Sequence, residues 1–530
     1  MTIIGFQSSL WWGWINISAD IPSHSKSAIC FERVNNWLED CKENHPLCTS
    51  LPQRLPSRVL DLGSSSDVCK LLQDSEQIQE YVTLSHCWGT FRDPPGITTK
   101  STISDRLDGI LISSLPRTFQ DTIFITRALG IRYLWIDSLC ILQDDTDDWE
   151  RECIKMGSIY RNSFLTLAAT ASADGSGGML RERHTSYHNI PIQLAEPGPS
   201  VTIGSRPLYT HSTLSSSQEG DPLSRRAWAF QERLLARRIL HFTSHELLWE
   251  CKTKQQCECL GWTASQGDIL QGEKLAFEDM AQGSNLESVI VQRNPCFLST
   301  WQQNAMWHNI IQTYSERSLT VEGDSLPAFS AIARLLVKEE NWLGGIRRDN
   351  IIPDFLWVTV SASCPHTSKY RAPSWSWASK YPGEELVFNQ PKYFSWSAVS
   401  SPRFSLIDAQ CFPAGIDPFG RLSHGYLVIK APFLEVVTEY HLLSKTSSNE
   451  PLSSRSVAYY PDYTDELEGD SLKVRYCVAI WEDTRDSNVN VSFCLVLRKL
   501  DSQVEDLYKR TGTCQWVCTF KTPLKTFKIL

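Results

Sequence analysis

Residues able to do chemistry gather at a few places along the chain. Ser85-His86-Cys87-Trp88 follows the apolar run Tyr81-Val82-Thr83-Leu84, and Asp137-Ser138-Leu139-Cys140 follows Leu134-Trp135-Ile136. Glu152 lies just beyond the acidic run Asp144-Asp145-Thr146-Asp147-Asp148, and Arg225-Arg226 precedes Gln231-Glu232-Arg233. A carboxylate at the edge of a buried helix face is either half-solvated or part of a site. A cysteine paired with His86 could act as a nucleophile. Adjacent strand residues point to opposite faces, so Cys87 pairs poorly with His86 and Cys140 is the better partner. Each residue also has a structural reading: Trp88 as core, Asp137 as a cap, Glu152 as a solvated helix residue, and 223–235 as a surface helix with ion pairs.

Two cysteine groups raise the question of metal. Cys41-x3-His45-x2-Cys48, with Cys30 as a fourth ligand, has the residue types of a zinc site but matches no standard finger spacing. Helix-end packing, without metal, is the expectation. Cys251-x5-Cys257-x-Cys259 is a weaker signal and reads as buried free thiols.

The elements that must position these residues are legible. Residues 81–89, 134–143 and 164–169 contain runs of strand length, and helical patterns separate them. Pro116 suits a first helical turn and Gly130 a left-handed C-terminal residue, which predicts a helix over 116–129. The acidic run can cap a second helix, on which Trp149, Cys153, Met156 and Tyr160 form one stripe and Glu152 stands at its edge. Strand, helix, strand, helix, strand predicts an α/β fold with a parallel sheet, whose ligands bind at the carboxyl ends of its strands. Both polar clusters lie there.

Composition narrows the class. The 530 residues are 42% hydrophobic and 21% charged, ordinary for a globular protein of two or three domains. A net charge of −9 opposes attraction to nucleic acid or anionic lipid. The 19 tryptophans point to aromatic-rich packing. No stretch reaches the roughly 20 apolar residues of a membrane span, and the apolar start, Leu10-Trp11-Trp12-Gly13-Trp14, lacks the basic residues of a signal peptide. Seventeen cysteines, several inside apolar runs, suit a reduced compartment and a cytoplasmic location.

Texture divides the chain into four parts. Residues 1–57 hold an N-terminal helix. Residues 58–260 hold the core at 81–170, a loop-rich stretch at 182–220 and a further motif at 221–250. Residues 261–355 read as helical, and 356–530 as a β-rich sandwich or barrel with strands at 371–378, 426–430, 476–480, 493–497 and 516–520.

A family resemblance rests on Tyr81 to Gly89, Leu115-Pro116-Arg117-Thr118 with Asp121, Gly130 to Ile141, Asp148-Trp149 with Met156 and Ile159-Tyr160, and Arg226-Ala227-Trp228 with Gln231-Glu232-Arg233. It extends to Trp37, Cys41, His45 and Cys48 upstream, and to Leu319-Thr320, Asp324, Leu326-Pro327-Ala328 and Pro373 to Trp377 downstream. In these the chain resembles the fungal heterokaryon-incompatibility (HET) domain, with His86 where that pattern commonly has tyrosine. The resemblance implies a fungal protein of non-self recognition and programmed cell death, distantly TIR-like, with a TIR-like or flavodoxin-like parallel sheet. Some TIR domains cleave NAD with a helix glutamate, and Glu152 is the matching candidate here. NAD would then be substrate, no cofactor being required. Loss of nicotinamide from the ribose passes through an oxocarbenium-like transition state that a carboxylate stabilises. Trp88 would stack on a ring, Ser85, His86 and Asp137 would hold polar groups, Arg226 would meet a phosphate, and Gln231 and Glu232 would complete the site. The rival expectation is a non-catalytic signalling or scaffold domain that acts through a protein partner or self-assembly.

Overall fold

The computed structural model describes residues 2–4, 16–17, 19–49, 51–63, 67–89, 96–183, 188–193, 200–205, 221–259, 263–265, 277, 300–360, 370–380, 383–388, 403–438, 457–462, 473–486, 489–500, 506–516 and 522–530. The chain forms two compact units, Met1–Asp279 and Met280–Leu530. The N-terminal helix therefore belongs with the central sheet, and the helices after residue 300 belong with the β-rich region.

In the first unit, helix α1 (Ala28–Asn44) is capped by Ser27, whose side chain accepts from the Cys30 N–H, and it buries Cys30, Val34, Trp37, Leu38 and Cys41. A ten-stranded sheet follows. Its strands are β1 (Arg58–Asp61), β2 (Val68–Gln73), β3 (Tyr81–Ser85), β4 (Ile110–Leu111), β5 (Tyr133–Trp135), β6 (Leu165–Ala168), β7 (Arg238–Phe242), β8 (Leu247–Cys251), β9 (Lys254–Cys257) and β10 (Thr263–Ser265). They lie in the order β10-β9-β8-β7-β6-β3-β5-β1-β2-β4. Strands β5, β3, β6 and β7 are parallel neighbours, as the alternating pattern requires. The whole sheet is nonetheless mixed, because the strands added on either side pair antiparallel. On the β7 side the cause is local: Phe242 and Leu247, and Cys251 and Lys254, are joined by turns far too short for a parallel crossover.

The crossovers are the expected helices. Helix α2 (Arg117–Ala128) starts after Pro116 and is followed by Gly130 at φ 75°. Its Asp121 accepts from the Met179 and Leu180 N–H groups at 2.7 and 3.0 Å, and Thr118 accepts from the Gly178 N–H at 3.1 Å. These motif residues thus hold the loop that follows β6. After the short helix α3 (Asp137–Cys140), helix α4 (Thr146–Asn162) is capped by Asp145, which accepts from the Asp147 and Asp148 N–H groups. Its buried residues are Asp148, Glu152, Met156, Ile159 and Tyr160. The first half of the stripe is therefore turned by one residue from the expected Trp149 and Cys153, because Arg58 of β1 pairs with Asp148 from beneath. Helix α5 (Ala227–Leu235) crosses from β6 to β7 and is mostly buried, not the surface helix its charges suggest. A separate sheet joins Thr2–Ile4, Asn16–Ile17, His188–Gln193 and Ser200–Ser205, so part of the stretch read as loop is a hairpin.

The second unit contains helices α6 (Thr300–Ser315) and α7 (Pro327–Leu336) and a closed barrel. Its staves are β11 (Leu422–Thr438), β12 (Lys473–Asp486), β13 (Val489–Lys499), β14 (Leu507–Trp516) and β15 (Leu524–Ile529). Each pairs with the next, and β15 returns to β11. Leu427, Ile429, Val478, Leu495 and Phe527 lie in its core. The strand expected over 371–378 is a turn instead. Trp375 and Trp377 are both buried, which mimics strand alternation, but Ser376 caps a 3-10 turn at Trp377–Ser379. Residues 517–520 of the last expected strand, and Leu10 to Trp14, lie outside the described residues. No described helix is long and apolar enough to cross a membrane.

Candidate functional site

Strand β3 is the pivot of the parallel core: the chain leaves it to one side through α2 to β5, then returns over it through α4 to β6. A strand whose connections diverge in this way opens a crevice at its carboxyl end. Ser85 ends β3 there, and His86 follows. Alternation sends them to opposite faces. Ser85 Oγ donates to the Glu232 carboxyl on α5. The His86 ring packs edge-on against Phe119 of α2, with centroids 5.0 Å apart, and lies nearly parallel to Trp88 at 6.4 Å. Gly89, at φ 88°, then turns the chain away, and a Cβ there would meet the Asp174 Cβ at 2.8 Å.

Asp137 joins the imidazole to the indole. As the first residue of α3, just past β5, it accepts from Trp88 Nε1 at 2.9 Å, and its other oxygen lies 3.6 Å from His86 Nδ1. Helix α4 contributes Tyr160, whose hydroxyl donates to the Leu84 carbonyl at 3.0 Å and also hydrogen-bonds Glu232. The site thus contains two carboxyl groups in unlike surroundings. Asp137 is part-exposed, with 18% of its side chain accessible, whereas Glu232 is 5% exposed. Burial, then the negative charge of Asp137, pushes the Glu232 carboxyl up to about 8, against the opposing pull of Ser85, Arg226 and Tyr160. Glu232 is therefore mostly a neutral acid at pH 7. Burial, with the Arg226 charge, holds the His86 imidazole below its usual range despite Asp137.

On these segments three buried polar atoms have no hydrogen-bond partner among the described residues: His86 Nδ1 and both amide atoms of Gln231, which precedes Glu232 on α5 and is only 1% exposed. Buried polar groups normally find partners, so such atoms mark places where a ligand or water can bind. Arg226 stands just before α5, at its N-cap position, and acts electrostatically on Glu232, His86 and Cys87. Burial pushes the Cys87 and Cys140 thiols up to about 11 and about 12. Burial thus favours the neutral thiol at both positions, which weighs against a cysteine nucleophile.

Ser85, His86, Trp88, Asp137, Arg226 and Glu232 are thus drawn together, with Gln231 beside them. Glu152 is also buried, at 4% exposure, but in another set of contacts. It accepts from Lys155 Nζ at 2.9 Å, and Lys155 in turn reaches Ser57 Oγ at 2.8 Å. Sequence reasoning assigned Tyr160 to the core stripe and missed its hydroxyl, although a tyrosine in an apolar stripe signals a buried hydrogen bond.

On the other side of α5, Arg233 donates to both oxygens of Glu250 on β8, at 2.7 and 2.8 Å. His241 Nε2 lies 3.0 Å from the same carboxylate. Burial works against the Glu250 charge, but Arg233 and His241 more than reverse this and hold the carboxyl well below the usual range. This pair fixes the helix that carries Glu232.

The motif residues of the crevice and of its supporting helices all fall inside one family match. The model of the heterokaryon incompatibility protein (HET) family matches residues 81–232, from the first residue of β3 to the buried glutamate of α5. No curated protein and no solved structure matches the chain. Over residues 81–232 this chain carries a heterokaryon incompatibility (HET) domain.

Proposed function

We propose that this protein acts in fungal non-self recognition and programmed cell death through cleavage of NAD or a close relative at the carboxyl end of β3. A heterokaryon-incompatibility-type role follows from the family match. The cleavage reading is carried by one observation: two carboxyl groups in unlike surroundings act on one another at the carboxyl end of β3, where parallel strands diverge and the buried His86 Nδ1 has no hydrogen-bond partner among the described residues. A buried acid near an accessible carboxylate is an arrangement that glycosidic chemistry uses.

In such a reaction the bond between the ribose C1′ and the pyridinium nitrogen breaks. Its electron pair leaves with neutral nicotinamide, so no acid is needed on the leaving group. Water adds to the resulting cation and releases a proton. The accessible Asp137 carboxylate is suited to stabilise the cation, neutral Glu232 and the Gln231 amide to hold ribose hydroxyls, Trp88 to flank a ring, and Arg226 to meet a phosphate. The TIR-like reading assigns the carboxylate role to Glu152. The geometry gives Asp137 and Glu232 the stronger claim, since Glu152 is occupied by Lys155.

The test is NAD consumption, by the purified full chain and by fungal cells after induced expression, for wild type, Asp137→Asn, Glu232→Gln and Glu152→Gln at matched protein level. Loss in the first two variants with retention in Glu152→Gln supports this site. Loss in Glu152→Gln alone moves the chemistry to α4. Death without a fall in NAD supports the scaffold reading, which has its own observation: Glu232 is enclosed by hydroxyls of β3 and α4 and can serve simply to seat α5.

A further inference from the structure

The cysteines of α1 do not pack alone. Cys41 lies in the last turn of α1, His45 stands at its C-cap, and Cys48 ends the following 3-10 turn Pro46–Cys48. The sheet brings a fourth residue to them, Cys251, the last residue of β8. One ligand atom from each of Cys41, His45, Cys48 and Cys251 lies within 4.8 Å of all the others. All four residues are buried, the cysteines at 0% exposure and His45 at 7%. The edges of a zinc tetrahedron with sulfur ligands measure about 3.8 Å, from a Zn–S bond of about 2.3 Å. Cys251 Sγ and His45 Nδ1 already stand 3.4 Å apart.

We propose that Cys41, His45, Cys48 and Cys251 bind a structural zinc ion as a Cys3His site. The donor set is soft and tetrahedral, which favours zinc over hard cations. Nothing is left over for substrate, since four protein ligands close the shell.

The surroundings match what a metal-bound thiolate cluster needs. Cys251 Sγ accepts backbone N–H groups from Lys254 at 3.3 Å and Thr253 at 3.5 Å. Arg238 Nε donates to Cys41 Sγ at 3.1 Å, and Arg238 is itself 4% exposed. Three thiolates around Zn2+ carry one net negative charge, which this guanidinium offsets. His45 turns its Nδ1 to the cluster and its Nε2 toward Asp40 Oδ2 at 3.8 Å, the outer carboxylate that commonly orients a metal-bound imidazole.

Cys30 is not the fourth ligand. It lies three helical turns before Cys41, about 16 Å along the axis. Its sulfur instead meets Glu258 Oε1 at 3.1 Å and Arg183 Nη2 at 3.2 Å. The site would clip α1 and its exit turn to the end of β8, level with Arg238 at the start of β7.

The test is metal content and ligand shell of the full chain, purified under reducing conditions with zinc in the growth medium. About one zinc per chain is expected, retained through dialysis, with an X-ray absorption spectrum of three sulfur and one nitrogen neighbours. Cobalt substituted for zinc should give the intense visible bands of tetrahedral thiolate coordination. Cys251→Ser should weaken zinc retention at least tenfold, while Cys30→Ser keeps it. The wild-type spectra decide the matter even if Cys251→Ser does not fold. Zinc below about a tenth of an equivalent, a sulfur count other than three, a disulfide within the cluster, or equal loss in Cys30→Ser would overturn the assignment.

Discussion

Glu232 and Arg233 are neighbours on α5, yet they look into opposite environments. Toward β3, Glu232 is buried among hydroxyls near another carboxylate, and its acid is driven up to about 8. Toward β8, Arg233 supplies the buried Glu250 with a two-pronged cation, and that carboxyl is held low. Burial is nearly the same, 5% against 0%. What differs is the counter-charge. A buried acid hydrogen-bonded to a cation contributes to the fold, whereas one hydrogen-bonded to hydroxyls, with its cation farther off, keeps its proton at neutral pH and can present it to a ligand.

The comparison breaks most severely when Arg233 is removed. Arg233→Ala leaves Glu250 buried with His241 and the Gln255 amide but without its guanidinium, and should destabilise the first unit by about 3 kcal/mol, read from chemical denaturation. A loss below about 1 kcal/mol would mean that the cation is not what holds Glu250.

Next in size is the pH response of Glu232. Its folded-state pKa of about 8 exceeds the ordinary 4.5, so between these values the native state keeps a proton that the unfolded chain has released. Stability then falls as pH rises from about 5 to about 8 and levels off above. After allowance for water penetration the change is on the order of 2 kcal/mol. Glu232→Gln should flatten that slope in melting temperature against pH, and an unchanged slope would assign it to another group.

The smallest effect sharpens the comparison. Ser85 pulls the Glu232 pKa down by hydrogen bonding. Ser85→Ala should cost about 1 kcal/mol and move the upper limit of the sloping window to higher pH. A shift to lower pH would contradict the reading of the network.

How much of this was legible beforehand varies with the range of the interaction. Pro116 and Gly130 bracket α2 within one residue or so, because caps act locally. The parallel core was legible because alternating strands and helices leave few topologies. Glu232 was visible as a residue but not as a buried acid, since its neighbours Ser85 and Tyr160 come from other strands and helices far along the chain. Glu152 drew the assignment by family analogy, and Lys155, three residues on, is the local feature that could have qualified it. For the cysteine cluster, His45 and Cys48 announced themselves by spacing. Cys251 lies 206 residues from His45, and only the assembled sheet brings it near. Helical pitch alone, however, rules out Cys30.

The barrel of the second unit closes on itself through β15, which zips onto β11 from Leu427↔Ile529 to Pro432↔Leu524. These partners are about a hundred residues apart, the kind of distant pairing that slows folding. During synthesis, β11 to β14 must therefore wait with two raw edges until the closing stave arrives, and that interval is when the nascent second unit is open to capture by chaperones or by another copy of itself.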